Sequence, residues 1–115
     1  DCSGFVAHVF KNLFPTHGPR FQTDVKGYIH SELFETVEAP RPGDIIIFKA
    51  EGGYPNHIGI VIDERRWIGS QSSTGVEFVN FDNKFWRTRK QTFRRYKSGS
   101  PKAISSHFSR AALYA

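Results

Sequence analysis

Cysteine is almost absent: Cys2 stands alone among 115 residues. No disulfide can form within the chain, so that thiol is either a small buried hydrophobe or a reactive group. Long apolar runs are lacking too. No stretch reaches the length of a membrane span, and no signal-peptide pattern opens the chain. His8, His17, His30 and His107 show no H-x-x-H, H-E-x-x-H or Cys/His spacing, so no zinc site is expected and they read as surface residues. No phosphate-cradling pattern follows Gly52-Gly53. Neither a metal nor an organic cofactor is expected. The first residue is Asp1 rather than Met, which reads as a processed product, a fragment or an excised domain.

What is present suits one soluble domain. The chain is 38% hydrophobic and 23% charged, and eleven Phe, four Tyr and two Trp supply bulky apolar area for a core. The formal charge of +5 favours polyanionic partners such as nucleic acid, anionic lipid or cell-wall polymer. Its late concentration in Arg87, Arg89, Lys90, Arg94, Arg95, Lys97 and Lys102 reads either as a solvated face or as a binding stripe. The cluster lacks the interleaved stacking residues of single-strand binders, and no nucleic-acid partner is expected.

Phe5, Val6, Val9, Phe10, Leu13 and Phe14 recur at helical spacing and predict an amphipathic helix over Ser3–Phe14, ended by Pro15. Val25–Phe34 reads as a short helix or an irregular segment, interrupted at Gly27. After the Pro42-Gly43-Asp44 turn, Ile45 to Phe48 is a β-branched run typical of a buried strand. Further strands are expected over His57–Ile62, Trp67–Gln71, Val76–Phe81 and Gln91–Tyr96. Trp67, Phe85 and Trp86 read as core or groove wall. A helix followed by a meander of antiparallel strands predicts an α+β domain over residues 1–96. Residues 97–115 read as a linker, Lys97 to Pro101, and a short helical tail through Ile104, Phe108, Ala111 and Ala112.

Two residues carry the chemistry. Cys2 opens a helix, where unpaired N–H groups and the positive end of the macrodipole favour a thiolate. His57 opens an apolar strand just after a glycine-rich loop, and an imidazole beside the thiol could move its proton. Taken singly, each has a plainer reading: a cysteine that merely starts a helix, and a histidine that is structural.

Taken together, the chain resembles the NlpC/P60 family of papain-like cysteine peptidases. The resemblance is carried by Asp1-Cys2-Ser3-Gly4-Phe5-Val6, by Arg41-Pro42-Gly43-Asp44-Ile45-Ile46-Ile47-Phe48 and by Asn56-His57-Ile58-Gly59-Ile60-Val61. It continues through Trp67-Ile68-Gly69-Ser70-Gln71-Ser72-Ser73-Thr74-Gly75-Val76 and Phe93-Arg94-Arg95-Tyr96, in family order. It implies an N-terminal helix carrying the nucleophile, packed on an antiparallel sheet. It also implies that Cys2 is the nucleophile, with its own N–H as an oxyanion donor, and that His57 is the general base. Asp1, Ser3 and Ser70 become candidate substrate contacts, Asp1 because some members use that acid to hold a substrate amine.

The implied activity is hydrolysis of amide bonds in peptidoglycan stem peptides, commonly between D-Glu and a diamino acid. That places the protein among secreted, periplasmic or wall-associated enzymes of remodelling, phage lysis or antibacterial attack. Two departures stand out. The family's usual polar orienter of the base, often His, aligns with Gly69, which has no side chain to offer. Gln71, two residues on and on the same strand face, becomes the candidate, the alternative being a bare Cys–His dyad. The family also places an aromatic upstream of the nucleophile to line the pocket, so an upstream segment or a partner chain is expected to complete that wall. The rival readings are a catalytically idle basic module that binds cell wall, and a CHAP-type amidase.

Overall fold

The computed structural model describes residues 1–21, 24–72, 74–99 and 106–107. Helix α1 (Cys2–Leu13) begins where Asp1 caps it: Oδ1 accepts the Gly4 N–H at 2.6 Å, an interaction worth about 1 kcal/mol. It stops before Pro15, which has no N–H to continue the ladder. A 3₁₀ turn (Pro15–Arg20) and a short helix α2 (Val25–His30) follow.

The rest is one antiparallel sheet of six strands: β1 (Phe34–Val37), β2 (Ile45–Lys49), β3 (Pro55–Val61), β4 (Arg66–Gln71), β5 (Gly75–Asn80) and β6 (Lys90–Tyr96). The spatial order is β1-β6-β2-β3-β4-β5. The expected meander therefore holds only from β2 to β5, because the last strand slots between the first two. The segment Val25–Phe34 also divides differently from its reading as one piece. Its helix ends at His30, and Phe34 opens a strand paired with Tyr96. A four-residue edge strand whose partner lies at the far end of the domain leaves little local trace in a sequence.

Both sheet faces are covered, which is why Ile45, Ile46, Ile47 and Phe48 show no polar alternation and are all fully buried. On one face Val6, Val9 and Phe10 of α1 pack with Ile45, Ile47, Ile58, Ile60 and an aromatic group of Phe21, Phe34 and Tyr96. On the other, Ile46, Phe48, Val61, Trp67 and Val79 form a second core under Phe81, Trp86 and Phe93.

Charged residues tie the strands together. Residues Arg41 to Asp44 make a turn closed by the Asp44 N–H on the Arg41 carbonyl, with Gly43 at φ 94°, the conformation a type II turn reserves for glycine. Asp44 is 1% exposed. Its carboxylate accepts the Arg41 N–H at 2.7 Å and two guanidinium bonds from Arg95, each 2.8 Å. Arg94 is buried as well and donates to the carbonyls of Tyr28, Ile29, Ser31 and Phe34, satisfying groups orphaned at the end of α2. Arg94 and Arg95 are thus framework, which corrects their reading as part of a solvated face. His17 is likewise no simple surface residue, since its Nδ1 and the Tyr96 hydroxyl share a 2.5 Å hydrogen bond. Of the expected linker, Lys97 lies against the body, its N–H donating to the Leu33 carbonyl at 2.9 Å. Apart from Ser106 and His107, the helical tail expected beyond Ile104 lies outside the described residues.

Candidate active site

A cleft of about 800 Å³ opens where the first turn of α1 meets the ends of β3 and β4. Asp1 and Cys2 line it from the helix, Asn56 and His57 from β3, and Ser70 and Gln71 from β4. Phe85 and Trp86, on the connection before β6, close its far side. Cys2 is half-buried, with its flank against the first core. Asp1 already has work in the helix cap, so a substrate amine would meet a carboxylate with one oxygen committed to the Gly4 N–H.

His57 is 9% exposed and sits among aromatic rings. The Trp86 indole stacks on it at 4.6 Å and 20° between planes, Trp67 presents an edge at 5.8 Å, and Phe48 lies at 6.0 Å. Its Nε2 is buried without a hydrogen-bond partner. Burial among these rings disfavours the imidazolium and lowers the His57 pKa from 6.5 to about 4.

The missing orienter has a structural counterpart. A Cβ placed on Gly69 would lie 2.9 Å from Cζ3 of Trp67, and one on Gly59 would lie 2.5 Å from its Cε3. Two glycines on neighbouring strands thus make the slot in which the fully buried Trp67 ring lies. The ring occupies the space where a side chain at position 69 would begin. Gln71 stands in the cleft wall beside His57, and no hydrogen bond joins the two.

The model of the NlpC/P60 family matches residues 1–95. The chain belongs to the NlpC/P60 family. Among curated members it is 31% identical over 102 residues to the murein DD-endopeptidase MepS/murein LD-carboxypeptidase of Escherichia coli K12, covering 87% of this chain and 51% of that protein. It is 31% identical over 88 residues to the probable endopeptidase NlpC of the same strain, covering 76% and 55%. The probable peptidoglycan endopeptidase LytE of Bacillus subtilis matches at 30% over 96 residues, covering 84% and 27%. The chain spans about half the length of the first of these relatives.

Of the residues singled out from the sequence as NlpC/P60 positions, the structure brings Asp1, Cys2, His57, Ser70 and Gln71 to one cleft. Ser3 is not among them. It is 4% exposed, among the buried residues of α1. Sequence reasoning named Trp86 only as core or groove wall and missed its stack on His57. The one available signal was its place just before the final strand, which returns to the middle of the sheet. Among the described residues no group of three or more His, Cys, Asp and Glu is arranged to hold a metal ion, and no helix is long and apolar enough to cross a membrane.

Proposed function

We propose that this NlpC/P60 chain is a cysteine peptidase or amidase that hydrolyses amide bonds in peptidoglycan stem peptides. The observation that carries the reading is the meeting of Cys2, at the start of α1, and His57, from β3, in one cleft. The curated relatives named as murein and peptidoglycan endopeptidases support the substrate class.

In this reading His57 is neutral above about pH 4 and takes the thiol proton as Sγ attacks the amide carbonyl. The oxyanion forms beside the Cys2 N–H at the helix start. The imidazolium is then a strong acid, because burial disfavours its charge, and it readily protonates the leaving amine. That departure leaves a thioester on Cys2. Water, deprotonated by His57, attacks the thioester, and the carboxylic acid leaves as the thiol is restored. The low pKa makes His57 a modest base and a good acid, which suits the expulsion of a poor leaving group. In this reading a side-chain rotation brings Gln71, from the same cleft wall, to accept a hydrogen bond from the ring. The work site is extracytoplasmic, where the wall polymer lies.

Purified peptidoglycan is digested and its fragments are read by mass spectrometry, with Cys2→Ala as control. Cleavage by the parent and a loss of about a thousandfold or more in the variant, at unchanged melting temperature, is the expected result. Retained cleavage by Cys2→Ala would overturn the mechanism. Binding of peptidoglycan without cleavage by the parent would favour the idle binding module.

A further inference from the structure

A second hollow, of about 650 Å³, lies on the other side of Phe85 from the catalytic cleft, and Phe85 lines both. Lys49, Lys84, Arg89 and Lys90 line it against a single acid, Glu51. The framework arginines each have fixed partners, whereas none of these four is held in an ion pair among the described residues. Lys49 and Lys90 are direct cross-strand partners on β2 and β6, so their like charges project from the same side of the sheet. Such a pair opposes folding. The Arg89 Cζ lies over the Phe85 ring at 4.3 Å from its centroid and over Trp86 at 5.5 Å, with Nε buried and unpartnered. Its guanidinium is thereby placed at the shared wall. A local rule of stability broken on the rim of a cleft points to a ligand that repairs it.

We propose that this basic hollow is a subsite for a carboxylate on the peptide strand being cut. The inference rests on the proposed peptidase function, which puts a peptide in the neighbouring cleft, and the two clefts adjoin at Phe85. Arg89 offers planar donors, and the paired lysines offer point charges. A neutral stem peptide would meet the lysine repulsion unrelieved.

The test uses the full chain with Cys2→Ala, so that binding is read without turnover. Calorimetric titration compares one muropeptide with free carboxylates and the same muropeptide amidated. Amidation should weaken binding about tenfold, the loss of one charge-assisted contact. Adding Lys90→Glu should abolish the preference while raising the melting temperature, since it turns a like-charge cross-strand pair into an opposite one. Lys84→Gln, on an exposed loop, repeats the test should Lys90→Glu fold poorly. Equal binding of the two muropeptides would overturn the proposal. So would a preference that survives both substitutions, or binding only of a phosphodiester wall polymer. Failure of the peptidase reading shows separately, as absence of cleavage by the parent.

Discussion

Arg94 and His57 are equally hidden, each 9% exposed, and they are held in opposite ways. Arg94 gives hydrogen bonds to four backbone carbonyls and joins α2 to the sheet. His57 is sandwiched among Phe48, Trp67 and Trp86 and keeps a buried Nε2 with no partner. At the framework end the Arg94 charge is met by four carbonyls, with only its Nε left buried and unpartnered, and the Asp44 carboxylate is met by Arg95 and the Arg41 N–H. In the cleft no such set of partners surrounds the imidazole, the group to which the proposed mechanism gives the proton transfers. The stacked indole fixes the ring's plane without engaging its Nε2.

The comparison breaks most visibly at Arg95. Arg95→Ala leaves the Asp44 carboxylate, 1% exposed, buried beside only the Arg41 N–H. The expected loss is about 3–5 kcal/mol, a large share of the stability of a domain this size. Urea titration measures it, and the cleavage products of the still-folded fraction should be unchanged. Asp44→Asn in the same background should recover part of the loss, since it removes the stranded charge. A cost below about 1 kcal/mol would mean that the pair behaves as a surface contact, and the contrast with His57 would lose its framework half.

The same contrast explains what could be foreseen. Helix α1, the strands from Ile45 to Asn80 and the meeting of Cys2 with His57 were legible, because periodicity and turn chemistry are local and the two residues sit at element starts. The place of β6 between β1 and β2 was not, since that pairing depends on Asp44 meeting Arg95 and on Arg94 meeting the end of α2. Both contacts are long-range. Gly69 was recognised as a departure, but the size of Trp67 beside Gly59 was needed to say what fills the gap. The Trp86 stack lies on an irregular connection, where neither period applies.

Restoring the family's usual orienter tests whether aromatics have replaced it. Gly69→His alone should destabilise the protein by about 1–3 kcal/mol, because its Cβ meets the Trp67 ring at 2.9 Å. Combined with Trp67→Leu, which clears the slot, the same histidine should regain part of that loss and bring a polar partner towards Nε2. Thermal melts and kcat measure the two effects. If Gly69→His is tolerated without loss in the presence of Trp67, the slot is not the reason for glycine.

Trp86→Ala bears most directly on the stacked imidazole. Two influences oppose each other there. Burial under the indole disfavours the imidazolium and contributes to a pKa of about 4, whereas the indole face attracts a cation. The fall from 6.5 corresponds to roughly 3 kcal/mol against about 0.5–2 kcal/mol for a cation over an indole, so burial should win. Removing Trp86 should therefore raise the His57 pKa towards 6.5, as read by NMR titration of the ring. The acid limb of kcat/KM should rise with it, and turnover at neutral pH should fall about tenfold as the ring loses its plane. Stability carries the same sign. Between pH 6.5 and 4 the unfolded chain holds a proton on His57 that the folded chain does not, so the parent loses stability as the pH falls through that window and levels off below it. In Trp86→Ala that window should narrow from its lower end. A pKa that moves down instead would show that the indole holds His57 by attracting its charge, and the aromatic site would then answer its buried group electrostatically, as the framework does.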